Sequence, residues 1–252
     1  MSKAKDKLLL EVYKDLAQPS VWEIGKILQG ITKVGRFAFA GFDYLAMKQD
    51  RWQKFLEIIG TKVDEENLID AQPQIVGPII ESMVYTDVES LIGEMFAELL
   101  ARSIDKTNQD KAHPAFPQII RQLSHDEAVI LFLLKKKVYK VDQKWDLIGN
   151  RSENMKTIKE EFPLDKLNYP DNLWIYMEHL NNLALAGTWK TQNDIPLYDN
   201  KSYTEGSGAL QVSYPSGKQT GGIVKSERRL TDFGRLFANA CVPDDYKVES
   251  QP

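Results

Sequence analysis

The stretch Ile75–Leu134 decides the fold and reads IVGPIIESMVYTDVESLIGEMFAELLARSIDKTNQDKAHPAFPQIIRQLSHDEAVILFLL. Thr86 and Glu89 have the spacing of a capping box, which predicts that a helix begins at Thr86. Behind that start, large apolar residues recur three and four positions apart, which predicts one wide buried face. Its members are Val88, Leu91, Ile92, Met95, Phe96, Leu99 and Leu100.

The second half of this stretch predicts two further helices. Pro114 or Pro117 suits the first turn of a short helix, whose apolar positions are Phe116, Ile119, Ile120 and Leu123. Ser124 and Glu127 form another capping box, so a helix is expected to start there. The run from Ala128 to Leu134 is apolar on every side, which is typical of a helix in an interior. These helices are predicted to form the core.

Several segments of the chain resemble segments of a known family. GPIIESMVYT, EMFAELLARSID and HPAFPQIIRQLSHDEAVIL lie in the central stretch, and EHLNNLALA and LTDFGRLFANAC follow later. Together they resemble the abortive-infection alpha (Abi-alpha) family of bacterial proteins, over about Val12 to Val242. That family is linked by name and context to phage defence, so the resemblance implies a defence role without implying a particular reaction.

Composition limits the class of protein. At 252 residues and 42% hydrophobic content the chain can bury a sizeable core. Its net charge of -4 gives no general attraction to nucleic acid. The single cysteine, Cys241, excludes an internal disulfide and indicates a reducing compartment and a buried thiol. A secretory signal and a bilayer-spanning run are both missing from the sequence, which predicts a cytoplasmic protein, at most peripheral to the inner membrane.

The N-terminal segment allows two interpretations. Helices are predicted at Lys5–Ala17 and Val21–Lys48, and glycines interrupt the second. One interpretation is close packing between helices. The other is insertion of an apolar face into a membrane surface, with Lys26, Lys33 and Arg36 meeting anionic lipid. The residues of that membrane or partner face are Ile24, Leu28, Ile31, Phe37, Phe39 and Phe42.

The remaining elements are predicted from spacing and turn residues. A helix is expected at Asp50–Ile59. Asp64–Ile80 is expected to be an acidic connector with extended segments around Pro73 and Pro78. The later predictions are a strand at Val138–Val141, helices at Asn154–Phe162 and Asp171–Gly187, strands at Ala209–Tyr214 and Gly222–Leu230, and a helix from Thr231.

This order of elements predicts a mainly α fold with a small β component. An N-terminal helical domain is placed at residues 1–122, a winged-helix-like domain with a two-stranded wing at 123–242, and a flexible tail at 243–252. The run HLNNLALA followed by a hairpin and LTDFG carries the winged-helix resemblance.

The sequence does not favour an enzyme. It lacks a phosphate-binding loop, a dinucleotide fingerprint, a metalloprotease motif and a nucleophile elbow. His113 and His125 with Asp105 are the one set considered for a metal or general-base role, and caps and turn contacts are the default explanation of these residues. No catalytic, cofactor-binding or metal residue, no cofactor and no small-molecule substrate are therefore predicted.

The winged-helix resemblance raises the question of nucleic acid. The segment Asp171–Gly187 contains no Lys or Arg, which argues against a recognition helix there. The candidate nucleic-acid contacts are Lys218, Lys225, Arg228 and Arg229. The leading hypothesis is a binding or effector role in abortive infection, with a protein partner or homo-oligomer and action of residues 21–48 at a membrane surface. The alternative is a winged-helix DNA-binding transcriptional regulator.

Overall fold

The computed structural model describes residues 49–70, 72–83, 85–149, 151–199, 203–205, 212–214 and 217–248. Two compact units form within this part of the chain. The first contains the described residues up to Lys135 together with Phe233–Val248, and the second contains Lys136–Asp232. In the sequence, the second unit is therefore an insertion within the first, between Lys135 and Phe233. This division differs from the one drawn at residue 122 from the sequence.

The first unit is helical in its described part. It begins with α1 (Gln49–Gly60), α2 (Pro73–Met83), α3 (Leu91–Ser103), α4 (Phe116–Ile120) and α5 (His125–Lys136). The predicted capping box is confirmed at α5, because Ser124 N donates to Glu127 Oε2 at 2.7 Å and Glu127 N donates to Ser124 Oγ at 3.3 Å. Residues Asp126 to Phe132 are all buried, which confirms the interior position of this helix.

Two predictions in the first unit were wrong. The segment predicted to be extended around Pro73 and Pro78 is largely helix α2, which buries Ile75, Val76, Ile79, Ile80 and Met83. Burial of this face outweighs the cost of one proline inside the helix. Helix α3 begins after Ser90, whose Oγ accepts from Gly93 N at 3.1 Å. Thr86 instead donates its hydroxyl to Ser82 O at 2.9 Å, at the end of α2.

The second unit is built on an antiparallel sheet. Its elements are β1 (Tyr139–Ile148), β2 (Arg151–Glu160), α6 (Leu173–Asn182), β3 (Ala186–Lys190), β4 (Ile195–Tyr198), β5 (Tyr203–Glu205), β6 (Val212–Tyr214) and β7 (Gln219–Leu230). The five-stranded sheet has the order β2-β1-β7-β3, and β4 also pairs with β7. Strand β7 is central, with β1 on one side and both β3 and β4 on the other. Strands β5 and β6 form a separate pair.

The sheet overturns the predicted fold class. The chain combines α and β structure, and a mainly α fold with a winged-helix-like domain and a two-stranded wing is wrong. The segment predicted as a helix at Asn154–Phe162 lies mostly in β2, and the helix predicted to reach Gly187 ends at Asn182. In the expected wing, β7 pairs with β1, β3 and β4.

Two glycines in the second unit lie at positions where a side chain would be unfavourable. Gly149 lies in the turn between β1 and β2 with φ of 62°, a conformation that glycine adopts without steric cost. Gly222 lies opposite Trp145, and a Cβ there would be 2.7 Å from Cζ2 of the indole. The absence of a side chain at this position allows the indole to lie against β7.

Helix α7 (Asp232–Cys241) completes the first unit. Phe237 is fully buried, and its ring meets that of Phe116 edge-on at 5.2 Å between centroids. Arg102 Nε donates to Ala240 O at 3.1 Å, and Lys135 Nζ donates to Val242 O at 2.6 Å. Two cations thus bind carbonyls at the C-terminal end of α7, where the helix dipole favours positive charge.

Candidate functional site

Helix α6 in the second unit has a buried face and an exposed one. Leu173, Met177 and Leu180 recur at helical spacing and are all buried. Trp174 and Ile175 lie off that face, and their residues are 66% and 44% exposed. Large apolar side chains with this exposure are frequent at protein interaction sites, where tryptophan contributes strongly to binding.

Two carboxylates accompany these apolar residues. Asp171 lies in the 3-10 turn Pro170–Asn172, which continues directly into α6, and Glu178 lies one turn after Trp174. Both acids are exposed. Spacings of four and three residues make Glu178 a neighbour of Trp174 and Ile175 on the helix surface. Asp171 lies at the N-terminal end of the same helix. This group was not predicted from the sequence, although the spacing of Leu173, Met177 and Leu180 already leaves Trp174 and Ile175 outside the core face.

The predicted nucleic-acid contacts do not share one surface of the sheet. Side chains alternate along β7, so Lys225 and Arg229 lie on one face and Arg228 lies on the other. Lys225 is paired across strands with Asp142. The Arg229 guanidinium lies 5.0 Å from the centroid of the Trp189 ring.

Arg228 is buried in the second unit. Its residue is 8% exposed, and Nη1 donates to Glu160 Oε2 at 2.6 Å. Among the described residues, the Arg228 Nε atom has no hydrogen-bond partner. Burial lowers the pKa of Arg228, and the Glu160 carboxylate opposes that shift. This arginine therefore makes an internal ion pair and does not present its guanidinium to solvent.

The other basic residues also have local contacts. The main-chain N–H of Lys218 donates to Asp199 Oδ1 at 3.0 Å. In the first unit, Lys135 pairs with Asp244 at 2.7 Å. In the second unit, Lys137 Nζ lies 4.7 Å from the Tyr139 ring, and Lys140 is opposite Glu227 in the sheet. Lys135 and Lys137 thus have a carboxylate and an aromatic ring beside their ammonium groups.

Comparison with known proteins identifies the family. A family model described as abortive infection alpha matches residues 47–241. The chain belongs to the abortive infection alpha family. The match covers every helix and strand of the described residues, from the start of α1 to the end of α7. No curated protein and no solved structure matches the chain.

Membership of the abortive infection alpha family associates the chain with phage defence. The match begins after the predicted membrane or partner face. That face, at Ile24, Leu28, Ile31, Phe37, Phe39 and Phe42, lies outside the described residues. Among the helices of the described residues, none has the length and apolar character needed to cross a bilayer.

The candidate chemical groups of this abortive infection alpha chain are engaged in local structure. His113 Nδ1 accepts from Ala115 N at 3.1 Å, as a turn contact does. Burial would raise the pKa of Asp105, but hydrogen bonds from Asn108 and Thr107, together with Arg102, outweigh it and lower that pKa. Across the described ranges, no three His, Cys, Asp or Glu side chains lie together as metal ligands would.

Proposed function

We propose that the chain acts in abortive infection by binding a partner through its inserted unit, and that it does not catalyse a reaction. The observation that carries this proposal is the outward face of α6, where Trp174 and Ile175 are 66% and 44% exposed. The hydrophobic effect disfavours such exposure in water, and covering both side chains with a partner would remove that cost.

The state of the candidate catalytic groups supports a binding role. The Asp105 carboxylate accepts hydrogen bonds from its own turn, at 2.8 Å from Thr107 N and 2.6 Å from Asn108 Nδ2. Burial raises the pKa of the Cys241 thiol well above its ordinary value, which disfavours the nucleophilic thiolate. A protein partner or a second copy of the chain fits an apolar surface better than a small substrate would.

Membrane and nucleic-acid binding remain predictions from the sequence. Membrane action would depend on residues 21–48, with the chain in the cytoplasm or peripheral to the inner membrane. Nucleic-acid binding through Lys218, Lys225 and Arg229 is less favoured, since Lys225 faces Asp142 across the strands and Arg229 stacks on Trp189. Arg228 would have to leave Glu160 to take part.

A phage challenge tests the proposed function. Bacteria expressing the chain with its neighbouring genes should yield fewer plaques than bacteria lacking only the chain, with death of infected cells before phage release. The variant His113→Ala plus His125→Ala should protect as well as the original chain, because neither imidazole takes part in a reaction. Equal plaque numbers with and without the chain would contradict the defence role. Loss of protection in a stably folded double variant would contradict the non-catalytic role.

A further inference from the structure

We infer that the outward face of α6 binds a positively charged amphipathic segment of a partner protein. This inference rests on the proposed binding role and specifies the chemistry of the partner. The surface consists of Asp171, Trp174, Ile175 and Glu178, here called the α6 patch. All four residues are exposed, while Leu173, Met177 and Leu180 on the opposite side are buried.

The arrangement of the α6 patch dictates what fits it. At 100° per residue, Glu178 lies between Trp174 and Ile175 on the outward face of α6. Asp171 lies just before the helix, in the 3-10 turn that leads into it. A partner must therefore cover two apolar side chains and meet the Glu178 carboxylate between them and the Asp171 carboxylate at the start of the helix.

The negative charge of the α6 patch favours a basic partner over an uncharged apolar one. The segment Asp171–Gly187 contains no Lys or Arg, so no basic residue within it neutralises the two carboxylates. An uncharged apolar partner would desolvate both acids without compensation, which is costly. Lys or Arg side chains interspersed with apolar residues would pair with the acids while covering Trp174 and Ile175. Amphipathic helices with apolar anchors three and four residues apart bind other proteins in this way.

A second copy and an anionic membrane fit this surface less well. A second α6 patch would bring like carboxylates together, which opposes association through the same face. Anionic lipid headgroups would likewise be repelled by Asp171 and Glu178. The complementary charge therefore favours a basic protein segment.

A designed peptide tests the inference with the full chain. The probe is a labelled helical peptide of about 18 residues with Leu and Lys spaced along two faces, and its control replaces every Lys with Glu. Fluorescence anisotropy should show binding of the Lys peptide that weakens as salt increases. Trp174→Ala should weaken binding by at least about tenfold, as expected for a central aromatic anchor.

Charge and surface controls sharpen this measurement. Asp171→Asn plus Glu178→Gln should weaken binding of the Lys peptide and reduce its salt dependence, because the pairing charges are lost. Leu236→Ala, at a residue of α7 that is 64% exposed, should bind like the original chain. Circular dichroism should show that the variants fold, since each changed side chain is exposed.

Two peptide results would overturn the inference: binding of the Lys peptide to Trp174→Ala as tightly as to the original chain, or binding of the Glu peptide as tightly as the Lys peptide. Two other results would also overturn it if they occurred in place of peptide binding. These are self-association of the chain that Trp174→Ala abolishes, and binding to anionic lipid vesicles that Trp174→Ala abolishes. The peptide measurement uses purified chain and no phage. Failure of peptide binding would therefore leave a positive phage challenge standing, and failure of the phage challenge would leave measured peptide binding standing.

Discussion

Glu160→Ala is expected to lower the free energy of unfolding of the second unit by about 3–5 kcal/mol, because it leaves a buried arginine without its partner. Both side chains of the pair are largely buried, at 9% exposure for Arg228 and 13% for Glu160. The Arg228 Nε atom already lacks a hydrogen-bond partner within the part of the chain that the structure describes. Removing the carboxylate would leave the whole charge uncompensated in the core of the sheet.

Hydrogen exchange and urea denaturation together measure this effect. Amides of β1, β2 and β7 should exchange faster in Glu160→Ala, since these strands surround the pair. The double variant Glu160→Leu plus Arg228→Met should recover most of the stability, because buried ion pairs can often be replaced by apolar side chains.

An adjacent ion pair supplies the control for Glu160. Lys159 and Glu161 pair at 3.0 Å, and their side chains are 59% and 39% exposed. Glu161→Ala should leave the denaturation midpoint nearly unchanged, because exposed ion pairs contribute little. If Glu160→Ala behaved like Glu161→Ala, the buried pair would not hold the sheet together.

Phe237→Ala is expected to destabilise the first unit by about 3–5 kcal/mol, the usual cost of removing a buried phenylalanine. Phe237 is 0% exposed and contacts the Phe116 ring edge-on. The change would leave a cavity between α7 and α4, so amides of α4 and α7 should exchange faster. Urea denaturation gives the size of the effect.

The neighbouring residue provides a matched control for this change. Leu236 lies in the same turn of α7 but is 64% exposed. Leu236→Ala should change the free energy of unfolding by no more than about 0.5 kcal/mol. Equal effects of the two substitutions would contradict the return of α7 to the core of the first unit.

Features that depend on nearby residues were predictable from the sequence. The capping box at Ser124 and the buried α5 were confirmed, because three-residue spacing and an apolar run determine them locally. Thr86 failed as a helix start because Ser90, four residues later, caps α3. Around Pro73 a helix was missed, because the prolines suggested an extended segment. Pro73 occupies the first position of α2, where proline is tolerated, and the apolar face of this helix is buried.

The sheet was not predictable from local patterns. Every residue of β2 except Glu160 is exposed, so burial does not alternate along this strand as it does in a half-buried one. One signal was present, since the dipeptide Gly149-Asn150 is typical of a hairpin turn. The pairing of β7 with β1 joins residues far apart in sequence, and so does the contact of α7 with α4. The insertion of one unit into the other follows only from these long-range contacts.

The residues of the candidate site also differ in whether local spacing or long-range contacts determine their positions. The concentration of Lys and Arg in the expected wing led to the prediction that Arg228 contacts nucleic acid. The alternation of side chains along β7 separates Arg228 from Lys225 and Arg229. Arg228 can be buried because it pairs with Glu160, which lies on another strand, β2, and this contact is visible only in the structure. The α6 patch, by contrast, can be read from helical spacing once the inward face is assigned.

Phage challenge with a variant of the α6 patch tests the central claim most directly. Bacteria should carry Trp174→Ala or Leu236→Ala at the protein level of the original chain, with the neighbouring genes present. Binding through the inserted unit predicts that Trp174→Ala loses most of the plaque reduction and that Leu236→Ala retains it. Full protection by a folded Trp174→Ala chain would contradict the claim that this surface performs the function.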